Sequence, residues 1–147
     1  MSDVFHVLGV PAGRKLTITI PATAGNVTTN ISPGVGKRYL LMRGRITLQN
    51  NATVANRQVI LAITDGTNIS EYLLVGANVA ASAAWNISMG EVNLAPSTGA
   101  LGDSSGGYLG LGNGIVLHGV DQFRITISAG VAGDSYSGFL DFLEVDA

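Results

Sequence analysis

Residues 39–66, YLLMRGRITLQNNATVANRQVILAITDG, decide how the rest of the chain is read. The stretch parses as two long β-strands joined by a polar loop. In the first, Leu40, Met42, Ile46 and Leu48 fall on one face, and Tyr39, Arg43, Arg45 and Thr47 on the other. In the second, Val59, Leu61 and Ile63 share a face. A period of two marks a strand with one buried side, because successive side chains point to opposite faces of the sheet. Gly44 interrupts the first strand at an inward position, which predicts a bulge or a close backbone approach. Asp65-Gly66, set between two apolar runs, predicts a hairpin turn.

The same reading extends outward. Residues 15–20 alternate, with Leu16, Ile18 and Ile20 inward, and Pro21 is expected to end that strand. Residues 22–36 read as a polar loop. Residues 69–76 are apolar on both faces, which predicts a strand whose second face is covered by a partner. Residues 77–84 are alanine-rich and predict at most a short helical turn. Trp85 alternates with Ile87 and Met89 and is placed in the core. Residues 95–114 are rich in glycine and read as a long loop. Strands resume at 115–117, 122–128 and 139–145, with Phe123, Ile125 and Ile127 sharing a face. The total is about eight strands and no helix. That is the pattern of an all-β sandwich or barrel, jelly-roll-like in strand number. Residues 1–14 read as an extended N-terminal arm and 15–147 as a single domain.

Composition narrows the function. Charged residues are 12% of the 147, against about 25% in an ordinary soluble domain. Hydrophobic residues are 46%, yet no apolar run approaches the roughly 20 residues of a membrane helix. Excess apolarity without a membrane span points to surface hidden against protein, in an oligomer or larger assembly. The net charge is −2 and the eight Lys and Arg are scattered along the sequence, which argues against a nucleic-acid footprint. The absence of cysteine excludes disulfides and thiolate chemistry. The N-terminus lacks a charged-then-apolar signal pattern, so synthesis in a cytoplasm without classical export is expected.

Candidates for chemistry are weak. Gly102-Asp103-Ser104-Ser105-Gly106-Gly107 and Gly133-Asp134-Ser135 resemble hydrolase nucleophile segments, but each needs a histidine base. The two histidines, His6 and His118, lie in the arm and at a turn. Gly, Asp and Ser are ordinary turn residues. Residues 9–15, GVPAGRK, lack the ending of a phosphate loop and precede a strand. Asp103, Asp121, Asp134, Asp141, Glu144 and Asp146 have no calcium-loop spacing. Asn26, Asn30, Asn51, Asn68 and Asn86 begin Asn-x-Ser/Thr triplets, which a chain rich in these residues produces by chance. Tyr39, Tyr72, Trp85, Tyr108 and Tyr136 are the candidates for a sugar platform. No catalytic, cofactor or metal-binding residue is assigned, and no enzyme is expected.

Three segments carry a resemblance. Gly36-Lys37-Arg38-Tyr39, then Ala52-Thr53-Val54-Ala55-Asn56-Arg57, then Ile63-Thr64-Asp65-Gly66 follow in the order of a pattern in small bacteriophage virion structural proteins, of the capsid decoration or jelly-roll capsid type. Residues 122–127, QFRITI, Ala132-Gly133-Asp134 and a last strand ending Leu143-Glu144-Val145 are also similar, although Val145 stands where the pattern often has a second glutamate. The resemblance implies a particle component and no reaction. It implies a capsid decoration (cement) protein on the virion surface. Such a protein would be a homo-oligomer, a trimer by preference, bound to the major capsid protein or other virion proteins, with neither nucleic acid nor membrane as partner. The alternatives are a small jelly-roll capsid subunit and a carbohydrate- or receptor-binding domain of a tail or fibre. Asn56 and Arg57 are expected to shape their loop by hydrogen bonding, and Asp65 and Gly66 theirs. The expected contact surface is the outward face carrying Tyr39, Leu41, Arg43 and Arg45, with Phe5 and His6 of the arm reaching a neighbour.

Overall fold

A computed structural model describes residues 13–75, 79–90, 104–110 and 114–147. Among them are ten strands and no helix: β1 (Arg14–Ala24), β2 (Thr29–Ile31), β3 (Lys37–Gln49), β4 (Gln58–Thr64), β5 (Ile69–Val75), β6 (Ala84–Gly90), β7 (Ser104–Gly110), β8 (Ile115–His118), β9 (Gln122–Ser128) and β10 (Ser135–Asp146). A six-stranded sheet runs β1-β10-β3-β6-β7, with β8 beside the first half of β3, and a four-stranded sheet runs β2-β9-β4-β5. The pairs β1/β10, β2/β9, β3/β6 and β4/β5 are all antiparallel. Nesting of four such ribbons across two sheets is the winding of a jelly roll. The expected all-β sandwich is therefore what the chain forms.

The core lies between the sheets. The six-stranded sheet supplies Leu41, Ile46, Leu48, Ile87, Leu140 and Phe142, all with no exposed surface, and the four-stranded sheet supplies Leu61, Phe123 and Ile125. Tyr39 stacks obliquely on Phe142 with ring centroids 5.2 Å apart, an arrangement worth about 0.5–1.5 kcal/mol beyond area burial. Tyr136 ties the layers together: its hydroxyl, buried beneath β10, meets Thr29 Oγ1 and donates to Val27 O at 2.7 Å. Gly44 sits where β10 crosses β3 closely; a Cβ there would lie 2.5 Å from Leu140 Cδ2 and 2.8 Å from Phe139 O. The Asp65-Gly66 hairpin joins β4 to β5. Asp65 Oδ1 accepts the amides of Thr67 and Asn68, and Gly66 takes a φ of 96°.

Several expectations need correction. Tyr39 and Leu41 face inward, not outward: they are 7% and 0% exposed. Arg43 pairs with Asp141 and Leu41 with Phe142, so Met42 is an extra residue, a bulge. One extra residue reverses the facing of everything before it, and Leu40 moves to the outer face. Pro21 does not end β1, which bulges between Ile20 and Thr23 and continues to Ala24. Proline is tolerated there because β1 is an edge strand. The loop expected at 22–36 contains β2. The glycine-rich segment contains β7, which pairs in parallel with β6. Of the helical turn expected at 77–84, residues 77 and 78 lie outside the described residues; within 79–84 no helix forms, Val79 bridges to Arg57 and Ser82 lies in a turn with a φ of 58°. Strand β1 opens at Arg14, one residue inside the expected arm; residues 1–12 lie outside the described residues, as do Gly102 and Asp103.

Candidate interaction surface

The outer face of the six-stranded sheet is read off the register. One row runs Lys15, Leu143, Leu40, Val116 across β1, β10, β3 and β8. The next runs Thr17, Asp141, Arg43, Gly90, and the third runs Thr19, Phe139, Arg45, Ser88, with β6 as the last strand of both. Arg38 lies beyond the first row, between Val145 and His118. Leu143, although 7% exposed, is not part of the core cluster, consistent with its place on this face.

The third strand decides the electrostatics. Six of the eight Lys and Arg sit on β1 and β3: Arg14, Lys15, Lys37, Arg38, Arg43 and Arg45. The fold thus gathers on one sheet charges that look scattered in the sequence. Arg14 pairs with Glu144 at 2.8 Å and Lys37 with Asp146 at 2.6 Å, both at the end of the sheet. Among the described residues, Lys15, Arg38, Arg43 and Arg45 stand on the outer face proper against one carboxylate, Asp141. Asp141 Oδ1 accepts the Thr17 hydroxyl at 2.6 Å; Oδ2 accepts Arg43 Nε at 2.7 Å and lies 3.4 Å from Lys15 Nζ. Burial alone pushes the Asp141 carboxyl up, but the donors from Thr17, Arg43 and Lys15 outweigh it and hold the group below its ordinary range. Arg45 donates through Nη2 to Asn86 Oδ1 at 2.9 Å. Among the described residues no carboxylate lies within ion-pair distance of Arg38 or Arg45. Beside Arg45, Phe139 is 37% exposed, and Val116 is 39% exposed beside Leu40. Arginine interleaved with an aromatic ring and aliphatic side chains is the composition of a protein-contact surface.

A second cluster lies at one end of the sandwich, and it holds loops in place. Arg57 is fully buried, and its Nε donates to Asp134 Oδ2 at 2.6 Å. Arg57 Nη2 donates to Asn51 Oδ1 at 2.9 Å, and the same oxygen accepts the Thr53 amide. The Asn51 amide donates to Asp134 Oδ1 at 3.0 Å, and its side-chain nitrogen to Ala132 O. Burial raises the Asp134 carboxyl pKa, while the Arg57 donor, the amides of Val131 and Asn51, and the guanidinium charge lower it further than burial raises it. The carboxylate is ionised and fully engaged, which accounts for the Gly133-Asp134-Ser135 segment as architecture.

Of the expected contact residues, Arg43 and Arg45 are on the outer face and brought together. Tyr39 and Leu41 belong to the core, and Phe5 and His6 lie outside the described residues. Arg57, expected to shape its loop, hydrogen-bonds Asp134 and Asn51. Asn56 is exposed, and the loop is held by Asn51 instead. The Thr53-x-x-x-Arg57 pattern did not identify Asn51, whose partners come from residues 132–134. Leu40, Phe139 and Val116 were missed because the bulge at Met42 and the pairing of β3 with β10 and β8 place them. Of the aromatic candidates, Trp85 and Tyr136 are buried, and Tyr72 is exposed on β5. Asn30, Asn51 and Asn86 each accept a hydrogen bond from an arginine. Among the described residues no three of His, Asp and Glu converge, and no helix is long and apolar enough to cross a membrane. Comparison of the chain with protein-family models, curated proteins and solved structures finds no match to any of them.

Proposed function

We propose that the protein is a structural component of a bacteriophage particle, a capsid decoration protein that attaches to the shell by protein–protein contact. The observation that carries this reading is the outer face of the six-stranded sheet, where Arg38, Arg43 and Arg45 alternate with Leu40, Phe139 and Val116. The low charged fraction and the resemblance read from the short segments 36–39, 52–57 and 63–66 support it. A decoration protein needs no chemistry: binding an assembled shell stabilises it by mass action, by about 2.7 kcal/mol per site at a hundredfold excess over Kd. A homotrimer is the preferred assembly, since it would multiply weak contacts into avidity.

The test mixes purified protein with undecorated shells of the same virus. A raised shell melting temperature and saturable co-sedimentation, with copy numbers in the hundreds per particle, are expected. A protein that stays in the supernatant and leaves the shell melting unchanged sinks the reading. One alternative has an observation of its own. The jelly-roll winding is shared with viral capsid domains, which favours a capsid subunit; closed shells assembled from this chain alone would select it.

A further inference from the structure

We infer that the outer face of the six-stranded sheet docks on an acidic protein surface, with Arg38 and Arg45 as the residues that select it. The identity of the partner rests on the proposed function; its acidic character rests on the charge of this face. The chain as a whole carries −2, whereas among the described residues this face presents Lys15, Arg38, Arg43 and Arg45 against Asp141 alone. The four cations are not equivalent. Lys15 and Arg43 converge on Asp141, which answers one of their two charges within the protein. Arg38 and Arg45 meet no carboxylate among the described residues and retain theirs for a partner. They stand roughly 20 Å apart along β3, at about 3.3 Å per residue, so the complementary carboxylates must be spread over a broad surface.

A polypeptide fits this face better than a nucleic acid. A phosphate backbone calls for a dense run of cations; here they are separated by Leu40, Phe139 and Val116, and a carboxylate sits among them. Apolar side chains between arginines suit a partner that brings its own apolar surface with its acids.

The test measures binding of fluorescent poly-L-glutamate, and of a DNA duplex of equal charge, to the full chain from 50 to 400 mM NaCl. Wild-type protein is expected to bind polyglutamate at low salt and to release it as screening shortens the range of the field. The double variant Arg38→Glu/Arg45→Glu is expected to bind at least tenfold more weakly, while Arg38→Lys/Arg45→Lys keeps most of the affinity. Both positions are exposed, and unchanged thermal melts confirm folding. Preference for the duplex, no binding of either polymer, or equal affinity in the charge-reversed variant overturns the inference. Shell binding measured in parallel separates the two readings. Tight, salt-insensitive attachment unaffected by Arg38→Glu/Arg45→Glu rejects the acidic partner and leaves the decoration role standing. Polyglutamate binding with no shell attachment supports the acidic-partner face and rejects the decoration role.

Discussion

Arg57 and Asp134 form an ion pair at 2.6 Å with neither side chain exposed to solvent. Arg57 precedes β4 and Asp134 precedes β10, so the pair fastens the start of a strand in one sheet to the start of a strand in the other. Breaking a buried pair leaves an uncompensated charge, which costs about 3–5 kcal/mol. Arg57→Leu is expected to lower the urea midpoint by a corresponding amount. Arg57→Lys should recover only part, because one ammonium cannot serve Asp134 and Asn51 with the geometry of a guanidinium. A loss under about 1 kcal/mol in Arg57→Leu would show that Asn51 and the Val131 amide hold the loops without it.

Acid should weaken the fold through Asp134 and Asp141. Both carboxyls are held below their ordinary value of 3.8 in the folded protein. Between the native and unfolded values the unfolded chain binds more protons, so stability rises with pH there. The contribution is complete above the unfolded value and is lost as pH falls below about 3.8 and through the native values. Thermal melts from pH 6 to pH 2 measure this, with Asp141→Asn expected to flatten the acid limb. A variant with the wild-type acid profile would remove Asp141 from the account.

The bulge at Met42 makes a prediction about neighbours. Leu41 is fully buried in the core and Leu40 half-buried on the outer face. Leu41→Ala should cost about 2–5 kcal/mol, and Leu40→Ala less than half as much. Chemical denaturation of the two variants decides it; the reverse order would mean that β3 runs without the bulge.

Two glycines are required for different reasons. At Gly44 a methyl group would meet the side chain of Leu140 and the backbone of Phe139, so Gly44→Ala is expected to destabilise by about 1–3 kcal/mol through overpacking. At Gly66 space is available but φ is 96°, so Gly66→Ala strains the hairpin backbone, at roughly 1–2 kcal/mol. Combined in one chain the two costs should add, since the sites share no partner; a marked departure from additivity in the melting midpoints would contradict their independence.

The sequence by itself determined the class of fold, because local alternation reports which residues can be buried together on a sheet. Residues 15–20, 85–89 and 122–128 carry their facing in their own pattern, and Asp65-Gly66 announces its hairpin through backbone chemistry. The tertiary structure decided the phase of β3 before Met42. In the run Tyr39-Leu40-Leu41-Met42 both faces are apolar, so the alternation is silent there, and only pairing with β10 shows which residue is extra. It also decided that β2 and β7 are strands, since a three-residue segment and a glycine-rich one gain their order from a neighbouring strand. The candidate surface was half legible for the same reason. Arg43 and Arg45 follow from local alternation, whereas Phe139 and Val116 join them only when strands distant in sequence come to lie side by side. Arg57 was visible as a loop-shaping residue, but its carboxylate partner stands 77 positions away, and no local pattern encodes a contact at that range.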